Sequence, residues 1–305
     1  MDSLDDLLID FRLHLVARNR APRTVTGYVQ AGEAFVRWLR ETGRSTAPED
    51  ITHRVIEAYL VALADRPQQR HTWKPVSAAT VAHHYRSLQQ WFKYLVREEV
   101  IAKSPFDRLS PPHVPEKPVP ILADPELKAL LAITEGRSFE DRRDHAIIRM
   151  FLDTGMRLSE LTGIRTDELD FDVSAVPVLG KGRRKRLAVF GNKTTEALRR
   201  YLRVRRNHEY ADRPRLWLSQ KGEFTEDGVR LMLTRRGNQA GIRGLHAHRF
   251  RHTFAHRWKA SGGDEESLMR LAGWKSRQMV DRYGASAATE RAREAHRRKG
   301  LGDRF

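Results

Sequence analysis

The sequence predicts a mainly α-helical protein of two domains, with a small β-hairpin in the second domain. Apolar residues recur at intervals of three and four along most of the chain, which is the spacing of amphipathic helices. Residues 110–120 contain five prolines and interrupt this pattern. After them, one stretch has the character of two short strands around a glycine-rich turn. A chain of 305 residues is long enough to form a core in each domain.

Four helices are expected in the first domain, residues 1–110, which makes it a compact all-α domain. Pro22 and Thr24 mark the start of the second helix, and Ser77 is the expected N-cap of the fourth. The four apolar stripes contain Leu4, Leu7, Leu8, Phe11 and Leu15; Tyr28, Phe35, Trp38 and Leu39; Ile51, Val55, Ile56, Tyr59, Leu60 and Leu63; and Val81, Tyr85, Leu88, Trp91, Phe92 and Leu95.

Residues 111–120 are predicted to be a linker, because prolines cannot continue a helix and favour an extended, semi-rigid chain. The second domain, residues 121–305, is expected to open with a helix that Asp124 caps and in which Pro125 takes the first position. A further helix is predicted over 139–154, and a hairpin over 173–190 with Lys181 in its turn. Helical patterns follow at 193–210, 225–240, 246–260, 264–272 and 276–283.

The charge of the chain favours a polyanionic partner. The formal net charge is +17 and the sequence pI is near 10.5. Residues 1–110 carry 16 Lys and Arg against 13 Asp and Glu, whereas residues 111–305 carry 40 against 26, so most of the excess lies in the second domain. A field of this size attracts nucleic acid or an anionic membrane surface. The alternative is that many of the arginines are simply solvated.

Composition also excludes several classes of chemistry. The chain has no cysteine, which removes disulfides, thiol nucleophiles, zinc fingers and iron–sulfur clusters. No apolar run approaches the ~18 residues that span a bilayer, and the acidic start is unlike a signal peptide. A soluble, basic, intracellular protein is therefore expected.

Two candidate functional residues lie at turns. Arg157 lies where Gly155 ends one helix and Ser159 or a neighbour begins the next, so its guanidinium can point into a cleft; the alternative is a helix-capping role. Lys181 lies between two glycines that let the hairpin backbone approach a partner, and the alternative is a solvated loop. The turn lacks the spacing of a P-loop, so nucleotide binding is not expected.

A third candidate group lies in residues 246–256. His248, His252 and His256 are four apart and share a helix face, as zinc ligands could. However, neither interval contains the Glu of H-E-x-x-H and no cysteine completes a site, so no metal is expected. His248 and Arg251 also share a face, where a proton shuttle and a fixed cation would suit a phosphate. The alternative is a basic helix that binds DNA without chemistry.

The fourth candidate pair is Trp274 and Tyr283, nine residues apart. A tyrosine near a helix end is most often core packing, but the four groups taken in order resemble one family, the tyrosine recombinases or phage integrase family. Its pattern is TGxRxxE, a GKG hairpin turn, HxxRH, a glycine followed by His or Trp, and a Tyr nine residues later. This sequence supplies Arg157 with Glu160, Lys181, His248 with Arg251 and His252, Trp274 and Tyr283.

The resemblance implies a site-specific DNA recombinase that cleaves and rejoins DNA through a 3′-phosphotyrosine intermediate, without a metal or other cofactor. Tyr283 would be the nucleophile, and Arg157 and Arg251 would stabilise the charge on the phosphate. Lys181 would protonate the leaving 5′-oxygen, and His248 is expected to take the tyrosine proton.

Two supporting residues and one departure from the pattern complete this interpretation. Glu160 is expected to brace the site rather than react, and His252 to support it. Trp274 stands where His is commoner, and its indole N–H can donate to a phosphate oxygen but cannot relay a proton. Since Xer-type resolvases resemble the His version, Trp274 favours the integrase of a phage or other mobile element. The chain starts at the core-binding helices without an arm-binding domain, which indicates a simple attachment site.

The family resemblance also implies partners. An N-terminal four-helix SAM-like core-binding domain and a catalytic domain would form a clamp around double-stranded DNA, as a homo-tetramer on DNA and a monomer or dimer in solution. Residues 285–298 would dock on a neighbouring protomer or lie on DNA. An accessory DNA-bending or directionality protein is a candidate partner, and no membrane is expected. The expected location is the cytoplasm, at the bacterial nucleoid or in a phage-infected cell.

Three alternatives stay open from the sequence. One is a Xer-type chromosome or plasmid resolvase, and another is a catalytically silent DNA-binding relative. The third is a metal-dependent nuclease, which would need a cluster of carboxylates, whereas the acidic residues here are scattered among basic ones.

Overall fold

The computed structural model describes residues 3–69, 72–115, 120–180, 185–274, 277, 280, 293 and 296–300. Backbone contacts divide the chain into two units, residues 1–117 and 118–305. Within the described ranges the chain is mainly helical and its strands form only two-stranded antiparallel sheets, so the predicted fold class is confirmed. No helix in those ranges is long and apolar enough to cross a membrane.

The first unit contains the four predicted helices. They are α1 (Leu4–Ala17), α2 (Pro22–Glu41), α3 (His53–Asp65) and α4 (Ala78–Arg97). Pro22 occupies the first position of α2, and the Ser77 hydroxyl accepts a hydrogen bond from the backbone N–H of Thr80 at 3.2 Å, so the predicted cap of α4 is confirmed.

Aromatic side chains from three helices fill the core of this unit. The Phe35 ring lies edge-on to Tyr59, with ring centroids 5.1 Å apart, and 6.2 Å from Phe92. The hydroxyl of Tyr85 on α4 donates to the carbonyl of Leu109 at 2.9 Å, which ties the end of the unit to its last helix. The four apolar stripes predicted from the sequence therefore face one another around a single apolar cluster.

One element of the first unit was not predicted. A hairpin of β1 (Pro67–Gln69) and β2 (Thr72–Pro75) joins α3 to α4, with Pro67 opposite Pro75. Its strands are three and four residues long and lack alternating apolar and polar residues, so no period-2 pattern marks them.

The second unit contains seven helices and two hairpins within its described residues. The helices are α5 (Asp124–Ala132), α6 (Phe139–Thr154), α7 (Leu158–Gly163), α8 (Asn192–Arg205), α9 (Glu226–Gln239), α10 (Ala247–Ala260) and α11 (Glu265–Ala272). The strands are β3 (Ala175–Leu179), β4 (Lys185–Val189), β5 (Leu218–Ser219) and β6 (Gly222–Glu223). The predicted hairpin is β3–β4, whereas β5–β6 was not predicted.

Three details of the sequence prediction were wrong in this unit. Ala123, not Asp124, is the N-cap of α5, because the Glu126 carboxylate reaches back to accept from the backbone N–H of Ala123 at 2.8 Å. Strand β3 starts at Ala175 rather than at residue 173, and α8 ends at Arg205, short of 210. Much of the predicted helix 276–283 and of the segment 285–298 lies outside the described residues.

Helix α6 lies at the centre of the second unit and packs against α8 and α10. Its Asp144 carboxylate is fully buried and accepts from Arg143 at 2.8 Å and from Arg236 of α9 at 2.9 Å. Arg143 also donates to the carbonyl of Leu218 at 3.0 Å. Because buried charges are stable only when they are paired, this network holds α9 and the β5–β6 hairpin to α6.

Candidate active site

The site is built around the junction between α6 and α7. Helix α6 ends at Gly155, which has a left-handed backbone with φ 54°. The Thr154 hydroxyl donates to the carbonyl of Met150 at 2.6 Å and accepts from the backbone N–H of Met156 at 3.2 Å. This turn makes Arg157 the N-cap residue of α7, with 29% of its side chain exposed. The predicted helix end at Gly155 and the junction position of Arg157 are therefore confirmed.

The Glu160 carboxylate is fully buried beside Arg157. Its Oε1 accepts from the Arg157 guanidinium at 2.8 Å, and its Oε2 accepts from the Arg157 backbone N–H at 2.9 Å. Burial acts to raise the pKa of Glu160, but the charge of Arg186 and the hydrogen bonds from Arg157 outweigh it, so the pKa is lowered overall. Glu160 is therefore an anion at neutral pH and cannot serve as a proton donor there.

Arg186 enters the site from strand β4. It lies on the inner side of the strand with Ala188, and its Nη2 donates to Glu160 Oε2 at 2.8 Å. Only 11% of its side chain is exposed. Arg186 was not among the residues predicted from the sequence, although strand alternation could have marked it as a charged residue at an inward position.

The end of α11 brings these arginines together. The last carbonyls of a helix lack intrahelical partners and carry the negative end of its dipole, so they attract cations. Gly273 ends the helix with φ 63°, and a Cβ there would lie 3.1 Å from Cδ of Arg186. Three consecutive carbonyls accept from three arginines: Leu271 from Arg186 at 2.5 Å, Ala272 from Arg251 at 2.5 Å and Gly273 from Arg157 at 3.4 Å.

Arg251 of α10 connects the two helix ends. Its Nη1 donates to the carbonyl of Gly155 at 2.8 Å, and only 1% of the residue is exposed. The guanidinium carbon lies 5.1 Å from the ring centroid of Trp274, which is the distance of a cation–π contact. The structure thus brings together four of the predicted site residues, Arg157, Glu160, Arg251 and Trp274.

The predicted histidines lie along α10. His248 is exposed in the first turn, and His252 is buried one turn later, with ring centroids 5.0 Å apart. His256 is buried a further turn along. Their common helix face is therefore confirmed. Among the residues that the structure describes, no cluster of three or more metal-ligating side chains is present.

Two predicted residues, Lys181 and Tyr283, lie outside the described residues. The hairpin that carries Lys181 is described up to its last ladder pair, Leu179 opposite Lys185. On the other side of the site, the chain is described through Trp274, nine residues before Tyr283.

The described part of the site suits an anion with several oxygens. Arg157, Arg186 and Arg251 converge on one helix end, and Glu160 is the carboxylate among them. Guanidinium groups are planar, permanently charged donors that match the oxygens of a phosphate. Held in place by carbonyls and a buried carboxylate, they are organised before a ligand arrives, which is the condition for stabilising charge that develops on a phosphoryl group.

Comparison with known proteins identifies the family of the chain. Residues 121–290 match the model of the phage integrase family, and residues 7–102 match its N-terminal SAM-like domain. The tyrosine recombinase XerC of Bacillus pumilus is 30% identical over 265 residues, which cover 85% of this chain and 84% of that protein.

Two solved structures share the fold. The XerH site-specific recombinase bound to its palindromic difH substrate has a TM-score of 0.74 at 19% identity, over 92% of this chain and 81% of XerH. A lambda integrase tetramer bound to a Holliday junction has a TM-score of 0.69 at 16% identity, over 90% of this chain and 78% of the integrase. The family match and the XerC relative place the chain in the class of site-specific DNA recombinases. The chain belongs to the phage integrase family, the tyrosine recombinases.

Proposed function

We propose that this recombinase cleaves and rejoins double-stranded DNA with Tyr283 as its nucleophile. One observation carries the proposal: the buried Arg251 and the partly exposed Arg157 meet where α11 ends, and the chain continues from there through Trp274 toward Tyr283. Tyr283 follows Gly273 by ten residues, a length of chain over which its oxygen can reach a phosphate bound by those arginines.

The chemistry needs no external energy source. The Tyr283 oxygen attacks the phosphorus, the bond to the 5′-oxygen breaks, and a 3′-phosphotyrosine forms, which a 5′-hydroxyl later reverses. Arg157 and Arg251 stabilise the charge on the non-bridging oxygens, and loss of one such donor costs on the order of 10²–10³ in rate. Lys181 protonates the leaving 5′-oxygen and His248 takes the tyrosine proton.

Three other site residues act in support. Trp274 donates its indole N–H to a phosphate oxygen, Glu160 fixes Arg157, and His252 packs against His248. No metal or other cofactor takes part in this scheme, because the permanently charged guanidinium groups stabilise the phosphate oxygens as a Lewis acid would.

We also propose roles for the parts of the chain. Residues 1–110 form the core-binding domain, residues 111–120 a linker and residues 121–305 the catalytic domain, with both domains on the DNA. XerH was solved with its DNA substrate and lambda integrase as a tetramer on a Holliday junction, which supports DNA as the partner and a homo-tetramer on it. The protein would act in the cytoplasm, at the nucleoid, with an accessory DNA-bending or directionality protein as a candidate partner.

Two biological roles have support. Trp274 favours the integrase of a phage or other mobile element, whereas 30% identity to a XerC along 85% of the chain favours a Xer-type resolvase. The position of the cleaved site in the genome distinguishes the two roles, because an integrase site flanks its own gene and a resolvase site lies elsewhere in the chromosome. Cleavage mapped across a genomic library would assign one role or the other.

The proposal is tested with a nicked suicide substrate, from which the short cleaved strand diffuses away and traps the covalent intermediate. Nicked duplexes from the sequence that flanks the gene, and from a genomic library that also covers resolvase sites, are incubated with the protein in EDTA and run on a denaturing protein gel. We expect a slower DNA-linked band with the natural protein and none with Tyr283→Phe. Salt-sensitive binding to the same DNA without such a band would overturn the catalytic proposal and favour a silent DNA-binding relative.

A further inference from the structure

We propose that Arg186 is a positioning residue for strand cleavage, which keeps the Arg157 guanidinium where it meets the phosphate. The inference rests on the proposed function, because it concerns the same site. Arg186 is not one of the residues matched to the family pattern above, and its contacts with Glu160 and with the end of α11 support the inference.

Arg157 and Arg186 share the carboxylate of Glu160. Glu160 Oε1 accepts from the Arg157 guanidinium, whereas Oε2 accepts from the Arg157 backbone and from Arg186 Nη2. A carboxylate and a guanidinium pair most favourably through two parallel hydrogen bonds. By occupying Oε2, Arg186 keeps Glu160 from taking both guanidinium nitrogens of Arg157. One of them therefore reaches the Gly273 carbonyl instead, at 3.4 Å.

Arg186 also contacts the end of α11, where Arg157 donates to the Gly273 carbonyl. Arg186 Nη1 donates to the carbonyl of Leu271, and the stem of Arg186 lies so close to Gly273 that a Cβ there would be 3.1 Å from its Cδ. Strand β4 is thereby fixed to the end of α11 through this side chain. Without it, both the carboxylate and the carbonyl that orient Arg157 would lose a common support.

Arg186 differs from the arginines that are proposed to contact DNA. Both of its terminal nitrogens are engaged by protein oxygens, and 11% of its side chain is exposed, against 29% for Arg157. Its Nε is buried and has no hydrogen-bond partner among the described residues, so the side chain is held in place by its two ends and its packing. Arg251 is also engaged at both terminal nitrogens, but its partners there are the neutral carbonyls of Gly155 and Ala272. The charge of Arg186 is instead paired with Glu160, the carboxylate that also holds Arg157. Arg186 therefore acts through Arg157 rather than on the phosphate.

The test compares single-turnover formation of the covalent complex on the suicide substrate by the full chain. Arg186→Gln should slow it on the order of 10²-fold, as expected for a misplaced catalytic group. Arg186→Lys should recover part of the rate, since one ammonium can reach one of the two partners.

Lys185→Gln is the matched control, because it removes a positive charge from the neighbouring, exposed position of β4. Its rate should stay within about twofold of the natural protein. DNA affinity should be unchanged in Arg186→Gln.

A double-substitution cycle distinguishes positioning from a general loss of structure. If Arg186 acts through Arg157, adding Arg186→Gln to Arg157→Lys should lower the rate by no more than about twofold, whereas independent effects would multiply. Two results would overturn the inference. One is a double variant whose rate falls by the product of the two single reductions, and the other is a natural cleavage rate in Arg186→Gln. Should Arg186→Gln fail to fold, as judged by circular dichroism, Arg186→Lys is carried through the same cycle by the same criteria. Absence of the covalent complex with the natural protein would instead refute the proposed function, and this inference with it.

Discussion

Glu160 accepts hydrogen bonds from Arg157 through both of its carboxylate oxygens, one from the guanidinium at 2.8 Å and one from the backbone N–H at 2.9 Å. The backbone bond fixes the start of α7, and the side-chain bond fixes the cationic group that projects from it. A single buried carboxylate therefore sets both the local fold and the position of a site residue. Organisation of this kind is completed during folding, so no reorientation is needed when a phosphate binds.

We predict that Glu160→Gln destabilises the protein and slows strand cleavage. The substitution keeps the shape of the side chain but leaves the guanidinium groups of Arg157 and Arg186 without their anion. Breaking a buried ion pair from one side costs about 3–5 kcal/mol, and the partial exposure of Arg157 places the expected loss at the low end. Urea unfolding measures the free energy, and Glu223→Gln on the exposed side of β6 is the control, expected within about 0.5 kcal/mol of the natural protein.

We predict that the stability of the natural protein and that of Glu160→Gln depend differently on pH. Because the pKa of Glu160 is lowered in the folded state, its contribution to stability is fully present above the ordinary glutamate pKa of 4.5 and is lost as the pH falls through the lowered value. The stability difference between the natural protein and Glu160→Gln should therefore shrink as the pH falls below that range. A difference that stays constant down to the acid transition would show that the charge of Glu160 contributes nothing.

Much of this site could be predicted from the sequence because its members lie in short motifs of fixed order. Arg157 and Glu160 are one helical turn apart, so a single local segment brings them together. Arg186 could not be found in that way. Its two partners lie on α7 and at the end of α11, and Leu271 is 85 positions away along the chain. Such contacts depend on how β4 packs, which no local pattern encodes.

The errors in the sequence prediction have local physical causes. The two unpredicted hairpins have strands of two to four residues, too short for an alternating pattern to stand out. At α5, Asp124 has the composition of a cap, but the capping-box carboxylate of Glu126 reaches the residue before it. Helix propensity therefore predicts α5 correctly, whereas its first residue depends on which backbone N–H the Glu126 side chain can reach.

We predict that Gly155→Ala is more harmful than Gly241→Ala. Both glycines have left-handed backbones, with φ of 54° and 72°, so either alanine costs about 1–2 kcal/mol of strain. A Cβ at Gly241 would have nothing within 4 Å, whereas one at Gly155 would lie 2.6 Å from Cδ1 of Phe254. Overpacking adds about 1–3 kcal/mol at Gly155. Since the Gly155 carbonyl accepts from Arg251, cleavage should slow in that variant as well.

Urea unfolding and single-turnover cleavage of both glycine variants check this prediction. Equal destabilisation would mean that Phe254 moves aside at little cost. Equal cleavage rates in two variants of unequal stability would mean that the position of the Gly155 carbonyl does not govern Arg251.

Trp274 packs against the active-site arginine Arg251, with its ring centroid 5.1 Å from the guanidinium carbon. Trp274→Phe keeps an aromatic face for that cation but removes the N–H donor, so we expect cleavage to slow on the order of 10²-fold with an unchanged pH dependence. Trp274→His restores a donor that also titrates, so the pH–rate profile should gain a limb near 6.5. Single-turnover cleavage between pH 5.5 and 8.5, in the range where histidine changes charge, measures both effects. Natural rates in Trp274→Phe would show that the indole N–H takes no part in the reaction, and that Trp274 serves only as packing for Arg251.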